Sequence, residues 1–178
     1  MNKVNIKKIC MAALFAAVIA ALSQVAIPTP IGVSVTMQTF AIAVTAFLLG
    51  IKQSVAATLC YIFIGAAGAP VFTGFSGGIA VVLGPTGGFI IAFPIFCLVL
   101  GFVFYVNRTW LKISICAISL AILYLFGTVQ FVLVTHNTVK TALAAFSLYF
   151  IKDALILAGA YFLCVRIRPN VLKFIQSK

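Results

Sequence analysis

A chain of 178 residues that is 65% hydrophobic and 7% charged has too little polar surface to cover a water-soluble globule of its size. Its 12 Lys and Arg stand against one acid, for a net charge of +11, yet the cations lie at the ends of apolar runs instead of forming a stripe, which excludes the usual nucleic-acid footprint. Backbone groups in lipid must be satisfied internally, and the apolar runs are continuous rather than alternating, so helices are selected over a barrel. The expectation is an all-α, polytopic membrane protein, one membrane domain over residues 1–178, with six transmembrane helices.

In chain order, at about 20 apolar residues per span, the candidate helices run from Ile9 to Ile27, Thr36 to Gly50, Ser54 to Ala69, Phe89 to Tyr105, Ile113 to Thr135 and Thr141 to Val165. Met1 to Ser23 has the basic-then-apolar shape of a signal peptide, but the apolar run is long for a cleaved segment, and it is kept as the first helix. That helix carries Ala12, Ala16 and Ala20 on one face, with Ala13, Ala17 and Ala21 beside it. Small residues four apart let a second helix approach closely, within the bundle or on a docking partner. The second and third spans are short and separated only by Gly50-Ile51-Lys52-Gln53, which leaves a re-entrant hairpin as a competing arrangement.

Two segments interrupt the apolar pattern. In the first, residues 27–38, Pro28 and Pro30 fix an extended backbone. The second, residues 65–88, holds 8 of the 13 glycines and is so apolar that it must fold over the bundle or dip into it. Its Gly-Pro-Thr-Gly-Gly stretch lacks the Lys and Ser/Thr of a nucleotide-binding loop, so no ATP site is expected here, and any active transport would draw its energy from another chain. The bare amides of Gly77, Gly78, Gly87 and Gly88 together with Thr36, Gln38, Thr73, Ser76 and Thr86 are expected on the same side as the acid. Phe72, Phe75, Tyr149 and Tyr161 are candidates to wall an apolar cavity among them. An apolar pocket with a few convergent polar groups suits a small amphiphilic ligand.

The acid is Asp153, within Tyr149-Phe150-Ile151-Lys152-Asp153-Ala154-Leu155. A carboxylate in hydrocarbon is costly and marks a site or a path. Lys152 is its neighbour, but adjacent helical side chains diverge by about 100°, so a simple face-to-face pair is not expected. Lys152 is read as snorkelling to the interface or meeting a ligand carboxylate. With the first helix starting in the cytoplasm, ten of the 12 cations fall inside and only Lys140 and Lys152 outside, so the positive-inside rule places both termini in the cytoplasm of a cell-membrane protein. The remaining basic charge can touch anionic headgroups of the lipid bilayer. The cysteines Cys10, Cys60, Cys97, Cys116 and Cys164 have no ligand or disulfide spacing, and His136 has no partner nearby in sequence, so neither a metal site nor a cofactor is implied. No nucleophile and base are placed together, which argues against a membrane enzyme.

Several strings resemble the BioY family of biotin-binding subunits, the S components of energy-coupling-factor (ECF) transporters. They are Pro28-Thr29-Pro30, Thr36-Met37-Gln38-Thr39-Phe40, Gly65-Ala66-Ala67-Gly68-Ala69-Pro70-Val71-Phe72 and above all Leu83-Gly84-Pro85-Thr86-Gly87-Gly88-Phe89. The resemblance implies a six-helix S-component bundle that captures biotin at the outer face and pairs with an ECF energising module of a membrane coupling protein and two ATPases. It also implies docking of that module on the Ala12, Ala16 and Ala20 face, a lid formed by the Pro-rich segment, and contact of Asp153 with the ligand's ureido ring. The chain departs from the family pattern where Ile151 and Lys152 replace the usual Pro-Gly before the acid and Ile156 replaces a lysine after it. Ser76 is the nearest polar residue to the family's loop asparagine. An S component for another small vitamin and a structural membrane protein remain the alternatives.

Overall fold

The computed structural model describes residues 6–29 and 33–176, with side chains described as far as residue 173; Pro30, Ile31, Gly32, Lys3 and Lys178 of the sequence reading lie outside these. Six helices of 12 residues or more form the bundle: α1 (Ile6–Ser23), α2 (Gln38–Leu49), α3 (Ile51–Ala66), α5 (Gly87–Gly101), α6 (Thr109–Thr135) and α7 (Val139–Gln176). A five-residue helix, α4 (Ile79–Leu83), precedes α5. Among the described residues four stretches are long and apolar enough to cross a membrane, namely Ile6–Ser23, Gly87–Tyr105, Thr109–Thr135 and Val139–Lys173, and α2 and α3 are shorter apolar helices. The fold is that of a multi-pass membrane protein.

The centre of the bundle is α2, which packs on α1, α3, α5 and α7. Its sequence explains the position. Ala41, Ala43 and Ala46 alternate with Ile42, Phe47, Leu48 and Leu49, so small and large apolar residues occur on every face and all of these are buried. A helix without a polar stripe has no face to offer water. Around it, α1 packs on α3, α5 on α6 and α6 on α7.

Only one residue, Gly50, separates α2 from α3, where four were expected. Its φ of 74° and ψ of −179° lie in a region open essentially to glycine, and its N–H still bonds the carbonyl of Ala46 while its carbonyl accepts from Ser54. The corner therefore needs no loop, and Lys52 and Gln53 join the first turn of α3. The last helix departs further from expectation. It continues 11 residues past Val165, through Arg166, Arg168 and Pro169, because a change from apolar to basic residues marks the end of hydrocarbon and not the end of a helix.

The two interrupting segments lie together at one end. Two short strands, β1 (Ala26–Ile27) and β2 (Val35–Thr36), pair antiparallel with Ala26 opposite Thr36 and Ile27 opposite Val35. The glycine-rich segment makes a 3-10 turn at Thr73–Phe75 and then α4. Gln24, at the end of α1, ties this segment down: its amide donates to the carbonyls of Val71 and Phe72, and its Oε1 accepts from the N–H of Phe75. Phe72 is thereby buried edge-to-face on Tyr61, 5.4 Å between centroids.

Candidate functional site

The same end contains a cavity of about 210 Å³ enclosed by α2, α4, α5, α6, α7 and the two interrupting segments. Its apolar walls come from Val81, Phe89, Ile90 and Phe93 with Phe72. Phe89 is fixed edge-to-face against both Tyr124 and Phe146, so one wall is a locked aromatic array.

Asp153 borders this cavity and is 4% exposed. Its Oδ2 accepts a hydrogen bond from the Tyr124 hydroxyl at 2.7 Å. Its Oδ1 lies 2.7 Å from Lys152 Nζ but receives no directed hydrogen bond, so that oxygen makes a charge contact and keeps its acceptor capacity. Lys152 Nζ also donates to the carbonyl of Thr36, at 3.3 Å, and sits 6.0 Å from the centre of the Tyr149 ring. The expectation that Lys152 and Asp153 diverge is thus corrected. A four-carbon stem is long enough to fold the ammonium back toward the neighbouring carboxylate, and Lys152 faces the cavity rather than the interface.

Gln38 enters the cavity from the first turn of α2 and donates to the hydroxyl of Tyr61 at 2.7 Å, a buried bond that holds the amide in one orientation. Tyr149 closes one side. Its hydroxyl donates to the Val33 carbonyl at 2.6 Å and lies 2.8 Å from the Thr29 hydroxyl, which ties the Pro-containing segment to α7.

Of the residues picked out by sequence, Thr36, Gln38, Phe72, Thr73, Ser76, Thr86, Tyr149, Lys152 and Asp153 line the cavity. The four glycines do not. A Cβ on Gly87 would collide with the Val82 carbonyl, on Gly88 with the Phe126 carbonyl and on Gly77 with the Ala69 carbonyl, while Gly78 turns the chain at φ 93°. These glycines let backbones touch, and their contribution to the cavity is to hold its walls together. Phe75 is 73% exposed and Tyr161 packs at the far end of the bundle on Phe47 and Phe104, so neither is a wall. The α1 face is also rearranged relative to the docking expectation. Ala16 is buried and Ala12 and Ala20 pack against the core of this same chain, whereas Ala13, Ala17 and Ala21 are exposed.

Sequence reading missed Tyr124, Thr39, Ser34 and the α5 wall. Tyr124 sits in a run of aliphatic residues, and a phenol placed mid-span needs a partner. That signal was available. Gln130 was missed too; its amide donates to the carbonyls of Val82 and Gly84, fastening α4 to α6.

The sequence profile of the BioY family matches residues 1–173. A probable biotin transporter BioY of Pyrococcus horikoshii is 38% identical over 124 residues, 68% of this chain and 72% of that protein. The biotin transporter BioY of Thermotoga maritima is 30% identical over 164 residues, covering 91% and 96% of the two chains. A crystal structure of the S-component for biotin from an ECF-type ABC transporter superposes with a TM-score of 0.85 at 23% identity, over 95% of this chain and 94% of that one, a likeness of fold.

Proposed function

This chain belongs to the BioY family, and we propose that it is the biotin-binding S component of an ECF transporter, a binding subunit with no catalytic step of its own. One observation carries the reading: a buried carboxylate, with one oxygen free of directed hydrogen bonds, borders an aromatic-walled cavity too small for a large ligand. The ureido ring of biotin presents two N–H donors, and Asp153 offers the matching acceptor at Oδ1. Phe72, Phe89, Ile90 and Phe93 receive the fused rings, whose burial contributes about 25 cal/mol per Å². Lys152, with its Nζ 2.7 Å from Asp153 Oδ1, belongs to the ureido end of the site, and Ile156 stands where the family commonly has a lysine. Thr36, Gln38, Ser76, Thr86 and Tyr149 supply the remaining polar rim.

Orientation follows from charge. Lys7, Lys8, Lys52, Arg108, Lys112, Arg166, Arg168 and Lys173 belong to the α1 start, the Gly50 corner, the α5–α6 connection and the α7 end, all at the face opposite the cavity. The positive-inside rule puts that face in the cytoplasm, with both termini, and the cavity toward the outside. Energy comes from a module of a membrane coupling protein and two ATPases, which docks on α1 through the exposed row Ala13, Ala17 and Ala21.

Titration calorimetry of the purified chain tests the assignment. Biotin is expected to bind at one site, and Asp153→Asn to weaken it by about 10- to 150-fold, since a hydrogen bond to a charged group contributes about 1.5–3 kcal/mol. Undiminished affinity in that variant would remove Asp153 from the site. A panel of other water-soluble vitamins that outcompetes labelled biotin would retain the architecture and change the substrate.

A further inference from the structure

On the opposite half of the molecule a second cavity, about 420 Å³, opens between α6 and α7. It is a groove because the facing positions are short: Cys116 and Ala117 on α6, Ala154 and Ala158 on α7. It runs from Thr109 to Leu120 along α6 and from Phe162 back to Phe150 along α7. Those stretches are about 16–18 Å long at 1.5 Å per residue, close to half of the ~30 Å hydrocarbon thickness. The groove is therefore one leaflet deep and lies in the leaflet of the basic face.

Its walls are almost wholly apolar except at one mouth, where Lys112 sits half-buried and donates to the Tyr161 hydroxyl at 3.2 Å. A phenol satisfies one ammonium proton and none of the charge. The chain has a single side-chain carboxylate, Asp153, which is engaged by Lys152 and Tyr124 at the other cavity. An anion for Lys112 must come from outside the side chains of this polypeptide. Arg108, the exposed residue just before α6 whose carbonyl accepts from the Lys112 N–H, puts a second positive charge at the start of the same helix.

We propose that this groove is a binding site for one anionic phospholipid, with an acyl chain laid between α6 and α7 and the headgroup phosphate on Lys112. The depth of one leaflet selects an acyl chain, and the uncompensated cation at the interfacial mouth selects a negative headgroup over a zwitterionic one.

Native mass spectrometry of the full chain in neutral detergent, titrated with phosphatidylglycerol or phosphatidylcholine, reads this directly. The wild type is expected to retain one phosphatidylglycerol at least fivefold more than phosphatidylcholine, the factor one lysine near a lipid surface supplies. Lys112→Gln is expected to equalise the two lipids, and Ala158→Phe, which fills the groove, to lose the single retained lipid. Circular dichroism checks that each variant is folded. Equal retention of both lipids by the wild type overturns the proposal. So does undiminished preference in Lys112→Gln, or a dimer that replaces the lipid adduct and disappears in Ala158→Phe.

Discussion

The two ends of the bundle are built from the same apolar vocabulary and treat polar groups in opposite ways. At the cavity end, polar side chains are drawn inside and meet polar partners: Asp153 with Lys152 and Tyr124, Gln38 with Tyr61, Tyr149 with the Thr29 hydroxyl and the Val33 carbonyl. At the basic end the charges stay at the rim and rest on aromatic faces, Lys112 over Tyr161 and Arg168 at 4.1 Å over Phe104. Convergence inside low-dielectric surroundings makes each partner expensive to remove, whereas a rim cation on a ring is worth about 0.5–1 kcal/mol. The contrast teaches that the functional end of a membrane bundle is marked by where polar atoms meet, not by how many there are.

Breaking the cavity end at its backbone seam is expected to have the largest effect. Gly87→Ala places a Cβ against the Val82 carbonyl and the Gln130 side chain that fastens α4 to α6. A loss of about 2–4 kcal/mol is expected, read as a fall in melting temperature, with Gly159→Ala, whose Cβ meets open space, as the control that keeps its stability. Tyr124→Phe is gentler. It leaves the Oδ2 atom of Asp153 without its donor, and biotin affinity should fall about fivefold to tenfold in calorimetry, at about 1–1.4 kcal/mol. Smallest of all is Arg168→Gln at the other end, which should move affinity less than twofold. A fall comparable to that of Tyr124→Phe would show that the two ends are not energetically separate.

Much of the architecture was legible because lipid imposes a simple rule. Six apolar runs became six helices, two of them short, and Asp153 stood out because an acid is costly in hydrocarbon. The errors have physical causes as well. Glycine is silent about whether it exposes an amide to a ligand or admits a neighbouring backbone, and Gly77, Gly87 and Gly88 do the second. Spacing placed Lys152 a third of a turn from Asp153 but carries no information on how far a flexible stem bends back. Tyr161 and Tyr149 share α7 and a residue type, and only the three turns between them decide that one ties the Pro-containing segment while the other packs with Phe47. The α1 row Ala12, Ala16 and Ala20 was read as a docking face, yet it turns toward this chain's own core, because which of two adjacent rows faces inward depends on a rotation that alanine repeats do not set.

The unbroken length of α7 has a mechanical corollary. Asp153 and Arg168 ride on one rod, 15 residues and so about 22 Å apart, with the first bordering the cavity and the second seated on Phe104. A continuous helix that tilts at the cavity carries its far end with it. Whatever reorients it at the cavity when a ligand binds is expected to be registered at the far end of the bundle as a displaced guanidinium, so a reporter attached there would read occupancy from the other end of the molecule.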